Sequence, residues 1–291
     1  MTERVWTVAE ILKTTACYLE EKGAEGARRS AELLLGKVLA LPRIELYLQH
    51  DRPLTEDEVA ALRRLVQRRA RREPLQYILG EVDFCGLTIE VSPGLLIPRP
   101  ETEELALFAA RTLGAINNRP LRALDIGTGT GCLAVAMAVQ VADLSVDAVD
   151  VDFEACTCAH RNAAHHGVGN RVRVFHADLF SPRFMSKIES PYDAIVANPP
   201  YVTAAEHRDL MPEVRGHESR RALVAGANGL AFYHRIAELL PELLKPEGRF
   251  AIEIGHGQEQ AVAAIMGEVS HSIEVRADIS GIPRIVSGLR L

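Results

Sequence analysis

The chain has 291 residues, 47% hydrophobic and 25% charged, which is typical of a globular protein with a sizeable core. Its net charge of −6 argues against non-specific nucleic-acid binding, which usually needs a basic surface. The five cysteines form no Cys-x-x-Cys pair, and their odd number argues against a disulfide framework. We see no secretory signal and no apolar run long enough for a bilayer, so we expect a cytoplasmic protein with no membrane attachment.

Residues 1–75 show helical patterns only, so we expect a small helical bundle. Thr7 with Glu10, and Thr55 with Glu58, have the spacing of capping boxes, which start helices. Between them, residues 27–40 predict a second helix. The last helix carries Arg63, Arg64, Arg68, Arg69, Arg71 and Arg72. We interpret this arginine run as a solvent-exposed helix face, with a docking surface for an acidic or RNA-associated partner as the alternative.

The pattern changes after Pro74. Residues 76–91 predict two short β segments, which would form a hairpin linker over residues 76–93. The rest, residues 94–291, opens with a stiff loop in which two prolines flank Arg99, followed by a helix start. The simpler interpretation of this loop is a helix entry, and the alternative is a loop that borders the active site.

From residue 121 onward, strand and helix patterns alternate. Strands are predicted at residues 122–126, 145–150, 172–176, 192–197, 249–254, 272–276 and 284–289. Helices are predicted at residues 102–113, 132–140, 153–165, 229–244 and 258–268. This alternation predicts an α/β, Rossmann-like domain with a doubly wound parallel sheet and an antiparallel strand near its edge.

The first strand runs into a glycine-rich turn that suits a cofactor without a pyrophosphate. The candidate binding residues are Gly127, Thr128, Gly129, Thr130 and Gly131. Their spacing, Gly-x-Gly-x-Gly, differs from the Gly-x-Gly-x-x-Gly of dinucleotide binders, and no lysine follows as in a P-loop. Such a turn fits S-adenosylmethionine, although any strand-to-helix turn can be rich in glycine.

Acidic residues follow the next two strands. Asp150 is placed to accept hydrogen bonds from the ribose hydroxyls of a nucleoside ligand. Asp178 is placed to accept one from an adenine amino group, with Leu179 against the ring. Asp152 is either a further acid or the cap of the next helix.

The fourth strand is followed by Asn198, Pro199, Pro200 and Tyr201. Two prolines stop the strand and hold the backbone extended, so an asparagine is fixed at the carboxyl edge of the sheet. Its carboxamide oxygen and the Pro199 carbonyl can accept two N–H bonds from a planar NH2 group, and the tyrosine ring can cover its face. The simpler interpretation is a turn that ends a strand.

The histidines suggest no metal site. The chain has 10, including His160, His165, His166 and His256. No group of carboxylates and histidines with ligand spacing accompanies them. We interpret them as surface helix residues and expect no metal.

Together these motifs resemble those of the HemK/PrmC-type methyltransferases, which modify a glutamine of peptide chain release factors. The resemblance covers nearly the whole chain and rests on three segments: Pro98 to Glu103, Asp125 to Gly131, and Asn198 to Tyr201. Further support comes from Ala222, Leu223, Gly226, Gly229, Leu230, Glu253 and Gly255. Asn-Pro-Pro-Tyr is also found in adenine and guanine amino methyltransferases, but joined to the Pro-Arg-Pro-Glu-Thr-Glu loop and the helical bundle it is specific.

The resemblance implies methyl transfer from S-adenosylmethionine to the side-chain amide nitrogen of glutamine in the Gly-Gly-Gln loop of class I release factors. It implies that the glycine turn and Asp150 bind the cofactor, with Asn198 beside it, and that the segment from Asn198 to Tyr201 holds the glutamine amide. In the family an aromatic residue often stands at the position of Leu179. We expect the bundle to recognise the protein substrate, and no nucleic acid to be a direct substrate.

Three other functions compete with this one. An amino methyltransferase acting on adenine or guanine would use the same asparagine clamp on an extruded base. The acidic charge of the second part of the chain argues against it, since residues 81–291 carry 19 Lys and Arg against 27 Asp and Glu. A non-catalytic scaffold is disfavoured by the intact motifs, and a nicotinamide-dependent dehydrogenase by the glycine spacing.

Overall fold

The computed structural model describes residues 5–116 and 120–291. The chain divides into two compact units. The helical unit contains Met1–Glu81 together with Met211–His217, and the α/β unit contains Val82–Leu210 and Glu218–Leu291. A short segment that follows the Asn-Pro-Pro-Tyr motif therefore belongs to the helical unit.

Helices and strands are labelled in chain order. The helices are α1 (Val8–Glu21), α2 (Ala27–Leu39), α3 (Arg43–Leu48), α4 (Glu56–Ala70), α5 (Leu75–Leu79), α6 (Pro100–Gly114), α7 (Cys132–Gln140), α8 (Phe153–His165), α9 (Pro212–His217), α10 (Arg220–Leu223), α11 (Ala231–Leu243) and α12 (Glu259–Gly267). The strands are β1 (Glu81–Phe84), β2 (Leu87–Glu90), β3 (Leu121–Ile126), β4 (Leu144–Asp150), β5 (Val172–His176), β6 (Tyr192–Ala197), β7 (Leu244–Glu253), β8 (Ser270–Ala277) and β9 (Pro283–Arg290). The predicted strands of the large sheet are confirmed, although β7 begins at Leu244 rather than at residue 249.

In the helical unit, both predicted capping boxes are formed. The Thr7 hydroxyl accepts from the Glu10 backbone N–H, and the Glu10 carboxylate accepts from that of Thr7. Thr55 and Glu58 make the same reciprocal pair at the start of α4. These bonds satisfy N–H groups that have no partner within the helix. The predicted apolar face of α1 is buried, with Val8, Ile11, Leu12 and Leu19 in the core of the unit.

The interpretation of the arginine run as a solvent-exposed face is wrong for two of its members. Arg69 is only 5% exposed and donates to Glu213 Oε1 at 3.0 Å. Arg72 donates to both oxygens of the same carboxylate, at 2.7 and 2.6 Å. Burial opposes ionisation of Glu213, but the hydrogen bonds from Arg72 and Arg69 outweigh it and lower its pKa. Helical periodicity could not reveal this contact, because the partner lies more than 140 residues away in α9.

The hairpin predicted after Pro74 is present but starts later than expected. β1 and β2 form a two-stranded sheet. Residues Leu75–Leu79, most of which were predicted as β structure, form helix α5 instead. The prediction failed because these apolar side chains complete the core of the helical unit, where Ile78 is buried and two neighbouring leucines pack beside it.

One buried side chain fastens the hairpin to the α/β unit. Asn162 of α8 accepts from the Glu90 backbone N–H at 2.8 Å and donates to the Glu90 carbonyl at 3.0 Å. It also donates to the Thr130 carbonyl at 2.8 Å. This carboxamide therefore links the hairpin, α8 and the glycine turn.

The described part of the α/β unit contains a seven-stranded sheet in the order β5-β4-β3-β6-β7-β9-β8. The first five strands in this order, β5, β4, β3, β6 and β7, are parallel, and β9 is antiparallel to both of its neighbours. The predicted antiparallel strand near the sheet edge is thus confirmed. In register, Ile126 lies opposite both Val149 and Ala197. The residues that follow these three in the chain are Gly127, Asp150 and Asn198, and they therefore lie together at one edge of the sheet.

Helices cover both faces of this sheet, as predicted. In β3, Leu121 and Ala123 belong to one core cluster, with α6 and α7. Leu124 and Ile126 belong to the other, with α11 and α12. Alternate side chains of one strand thus enter opposite cores, which is the pattern of a strand buried on both faces.

Residues 5–116 and 120–291 contain neither a membrane-spanning helix nor a cluster of metal-binding side chains. There is no helix in these ranges with the length and apolar character needed to cross a membrane. Nor do these ranges hold a group of three or more His, Cys, Asp or Glu side chains that could bind a metal ion. The five cysteines are free thiols.

Candidate active site

A cavity of about 470 Å³ lies in the α/β unit, at the carboxyl ends of the parallel strands. This is within the range of about 300–1,000 Å³ that is usual for small-ligand sites. Most of the predicted site residues line it, namely Gly127, Thr128, Gly129, Thr130, Asp150, Asp178, Leu179, Asn198, Pro199 and Pro200. Gly131 and Tyr201 are the two predicted site residues that do not line it.

The glycine turn is bound to the neighbouring strand. The backbone N–H groups of Gly127 and Thr128 both donate to the Val149 carbonyl, at 2.9 and 3.0 Å. Gly131 begins α7 with a φ of +81°, and a Cβ there would lie 2.8 Å from that of Ala159. Only glycine accepts both the left-handed backbone and the close approach of α8.

Beneath the turn, Asp125 anchors the loop without lining the cavity. Its Oδ2 accepts from the Thr128 hydroxyl at 2.7 Å. Complete burial raises the pKa of Asp125 to about 7. The family motif that begins at Asp125 therefore combines a supporting acid with the ligand-facing glycines.

Asp150 is held at the end of β4 by two backbone amides. Oδ2 accepts from the Gly129 N–H and Oδ1 from the Asp152 N–H, both at 2.9 Å. Burial raises the pKa of Asp150, while these hydrogen bonds favour the ionised form. Asp152 caps α8 by accepting from the Glu154 N–H at 2.9 Å, so its interpretation as a helix cap is confirmed.

The segment after β5 forms an apolar wall of the cavity. Leu179 is buried, and Asp178 accepts from the Phe180 backbone N–H at 2.9 Å. Phe180 also lines the cavity and contacts Phe232 edge to face, with ring centroids 5.1 Å apart. Sequence reasoning missed both rings. Phe180 directly follows Leu179, so aromatic surface is present one residue beyond the position where the family often has it.

Asn198 is oriented by a chain of two hydrogen bonds. Its Nδ2 donates to the Thr102 hydroxyl at 3.0 Å. That hydroxyl in turn donates to Glu253 Oε2 at 2.7 Å. Thr102 and Glu253 are each 2% exposed, and burial raises the pKa of Glu253 to about 7. The resemblance included Thr102 and Glu253, but nothing in the sequence linked them to Asn198.

The last residue of the motif, Tyr201, packs against the protein rather than lining the cavity. Its ring belongs to the hydrophobic layer on the α11 and α12 side of the sheet. Its carbonyl accepts from Gln258 Nε2 at 3.2 Å. Gly229 permits this arrangement, because a Cβ there would lie 2.4 Å from the same carbonyl oxygen. Burial raises the pKa of Tyr201 to about 12, so the phenol stays neutral near pH 7.

Two further contacts fix the loops that border the cavity. Arg99 donates to both oxygens of Glu218, at 2.7 and 2.8 Å, and the Ile97 backbone N–H also reaches this carboxylate. Burial raises the pKa of Glu218, and the charge of Arg99 opposes this. After the asparagine motif, the Val202 N–H donates to the Leu223 carbonyl at 2.9 Å. Sequence reasoning did not single out Glu218.

Comparison with known proteins agrees with this architecture. Residues 10–80 match the family model described as the PrmC N-terminal domain, and residues 110–227 match the methyltransferase small domain. A release factor glutamine methyltransferase of Geobacter sulfurreducens is 44% identical over 99% of both chains. One of Bacillus subtilis is 36% identical over 97% of this chain and 98% of its own.

The chain belongs to the release factor glutamine methyltransferase family. The sequence similarity extends over the helical unit as well as the α/β unit. This chain is therefore an enzyme of the methyltransferase class. A methyltransferase of Pyrococcus furiosus has the same fold, with a TM-score of 0.50 and 20% identity over 70% of this chain and 89% of its own. Family and fold together imply the use of S-adenosylmethionine.

Proposed function

We propose that this enzyme transfers a methyl group from S-adenosylmethionine to the side-chain amide nitrogen of the glutamine in the Gly-Gly-Gln loop of class I release factors. The observation that carries the proposal is the orientation of Asn198. Its Nδ2 is occupied by Thr102, so its Oδ1 is the group left to accept a hydrogen from a planar NH2 group at the cavity. The relatives from Geobacter sulfurreducens and Bacillus subtilis are release factor glutamine methyltransferases, which supports the same substrate.

The residues of the cavity fit S-adenosylmethionine. Asp150 offers carboxylate oxygens to the ribose hydroxyls. The glycine turn leaves space for the ligand in the cavity and carries no basic side chain of the kind that binds a phosphate. Asp178, Leu179 and Phe180 offer an acceptor and apolar surface to the adenine. When bound, the cofactor supplies a methyl group on a positively charged sulfonium.

The protein's own part is positioning. An amide nitrogen is a poor nucleophile because its lone pair is delocalised into the carbonyl. Asn198 Oδ1 and the Pro199 carbonyl accept the two amide hydrogens, which fixes the nitrogen in direction and favours a partly pyramidal geometry. The neutral phenol of Tyr201 is no general base, and the reaction needs none before transfer. The nitrogen gains the methyl group as the bond from methyl to sulfur breaks, and it then loses one hydrogen to water. Rate enhancement then comes from orientation and preorganised acceptors.

We propose that the helical unit, corresponding to the bundle predicted over residues 1–75, recognises the release factor protein. Its match to the PrmC N-terminal domain supports this role. Helix α3 also exposes apolar side chains one turn apart, with Ile44 at 64% and Leu48 at 67% exposure. The free thiols are compatible with action in the cytoplasm, which is part of the same proposal.

The recognition role is tested by replacing Ile44 and Leu48 with serine. We expect KM to rise for the intact release factor and to stay unchanged for a Gly-Gly-Gln peptide. Ile279→Ser, at an isoleucine that is 99% exposed in the α/β unit, is the matched control. It should change neither the KM for the intact factor nor the KM for the peptide. An equal KM of variant and wild type for the intact factor would contradict the role of this helix.

The reaction is tested with methyl-labelled S-adenosylmethionine and purified release factor. We expect label on the wild-type factor and none on a factor whose Gly-Gly-Gln glutamine is alanine. Label on ribosomal RNA or DNA, with none on either factor, would instead establish an amino methyltransferase of nucleic acid bases.

A further inference from the structure

Three side chains from distant parts of the α/β unit form a hydrogen-bonded relay at the cavity, where Asn198 and Thr102 line the wall. We call Asn198, Thr102 and Glu253 the amide relay. Thr102 lies in the first turn of α6, Glu253 is the last residue of β7, and Asn198 directly follows β6. The two bonds, of 3.0 and 2.7 Å, join residues 96 and 151 positions apart in the chain.

The chemistry of the three groups gives the relay a direction. An ionised carboxylate only accepts hydrogen bonds, and a hydroxyl has a single hydrogen to donate. Thr102 therefore donates to Glu253 and can offer Asn198 only a lone pair. Asn198 must then direct its Nδ2 towards Thr102 and its Oδ1 away from Thr102, towards the cavity.

This direction decides what the cavity offers to a substrate. The nitrogen and oxygen of a carboxamide are nearly equal in shape, so packing alone does not distinguish the two orientations. In the flipped orientation Nδ2 would face the substrate. Two N–H donors would then oppose each other across a desolvated contact, where an unmade hydrogen bond is expensive.

We propose that Thr102 and Glu253 are positioning residues, which hold the Asn198 carboxamide with Oδ1 towards the substrate amide. This inference rests on the proposed function. It goes further by assigning a task to the Pro-Arg-Pro-Glu-Thr-Glu loop and to the end of β7. Burial of an ionisable group at 2% exposure is explained by this task, since an apolar side chain would fill the same space without imposing a direction.

The test compares Thr102→Val, Thr102→Ser and Glu253→Gln with the wild type on a Gly-Gly-Gln peptide. Valine keeps the shape of threonine but removes the hydroxyl, and glutamine can donate as well as accept. We expect Thr102→Val and Glu253→Gln to lower kcat on the order of ten- to a hundredfold. The Kd for S-adenosylmethionine should stay within about threefold of wild type, and Thr102→Ser should restore most of kcat.

Two results would overturn the inference. One is a wild-type kcat in Thr102→Val. The other is Thr102→Ser as slow as Thr102→Val, which would point to packing of the threonine methyl group. A further check uses an Asn198→Ala background, in which Thr102→Val should have almost no additional effect if it acts through Asn198.

A measurement without turnover separates this inference from the proposed function. The side-chain N–H signals of Asn198, assigned by NMR against Asn198→Ala, should exchange slowly in wild type and Thr102→Ser, and rapidly in Thr102→Val. If the wild type methylates no glutamine, the proposed function is wrong, but the exchange rates still show whether Thr102 holds Asn198. Rapid exchange of the Asn198 side-chain hydrogens in the wild type would contradict the relay even if glutamine activity is intact.

Discussion

The two sides of the cavity are built in different ways. On the side of the glycine turn, Asp150 bonds to amides 2 and 21 residues away, and Thr128 to Asp125, 3 residues away. On the side of the asparagine motif, Asn198 depends on a residue 96 positions away. Tyr201 is bound by a side chain 57 positions away.

This difference separates the two tasks of the enzyme. The glycine turn is fixed mainly by its own strand and the adjoining strand, and only its last residues, Thr130 and Gly131, also contact α8. The asparagine motif takes its geometry from α6, the end of β7 and the segments around Gly229 and Gln258. We therefore expect substitutions on the side of the glycine turn to change cofactor affinity, and substitutions on the side of the asparagine motif to change kcat.

The largest expected effect is that of Asn198→Ala, which removes the acceptor for the substrate amide. We expect kcat to fall by about 10²–10³-fold or more, as for the loss of one preorganised group in an active site. The Kd for S-adenosylmethionine should change by no more than several-fold. Peptide kinetics and calorimetry measure the two quantities. Asn170→Ala, at an exposed turn after α8, is the control. Cofactor affinity lost in step with kcat would show that the two sides are not separate.

Asp150→Asn should give the reverse pattern. Neutralising the carboxylate weakens charge-assisted hydrogen bonds worth about 1.5–3 kcal/mol, which corresponds to roughly a ten- to hundredfold higher Kd for S-adenosylmethionine. At saturating cofactor, kcat should stay within a few-fold of wild type. Calorimetry and kinetics at two cofactor concentrations distinguish the effects. An unchanged Kd would remove Asp150 from the cofactor site.

The same contrast explains which features the sequence could predict. The glycine turn and the acid after β4 lie close together in the chain, and strand register brings them to one edge, so local patterns were sufficient. The strand and helix order also followed from periodicity. The partners of Asn198, the contact of Arg69 with Glu213 and the helix α5 depend on tertiary packing. Periodicity carries no information about such distant partners.

The asparagine side should also give the enzyme a characteristic pH dependence. The pKa of Glu253 is about 7, raised by burial, and the relay needs its ionised form. Below that pKa, kcat/KM should fall by up to about tenfold for each pH unit until it reaches the level of Glu253→Gln. The expected stability change has the opposite sign. A carboxyl with a raised pKa binds protons more tightly in the folded state, so its contribution to stability falls as pH rises towards 7. Protonation of Glu253 would therefore lower activity without itself destabilising the fold, and thermal unfolding at each pH shows whether the enzyme remains folded.

The control for this profile is Glu253→Gln, in which the steep acid limb of kcat/KM should disappear. The titratable and charged groups around Glu253 are Glu101, Arg99, Arg284, Tyr201, Tyr233 and Cys132. Asp125 has a similar pKa of about 7 but lies beneath the glycine turn. An acid limb that persists in Glu253→Gln would assign the titration to another group.

The smallest expected effect, and the sharpest test of long-range support, compares Gly229→Ala with Gly226→Ala. Both glycines have a positive φ, +75° and +80°, so the backbone conformation alone should cost each alanine about 1–2 kcal/mol of stability, and the clash at Gly229 adds to this. Only Gly229 is crowded, since its Cβ would lie 2.4 Å from the Tyr201 carbonyl oxygen, whereas that of Gly226 would meet nothing within 4 Å. Thermal unfolding should thus show a loss in both variants, and kcat should fall several-fold further in Gly229→Ala with cofactor affinity retained. Equal kcat values in the two variants would mean that the asparagine motif tolerates displacement of its last residue, and that its geometry is set by the amide relay alone.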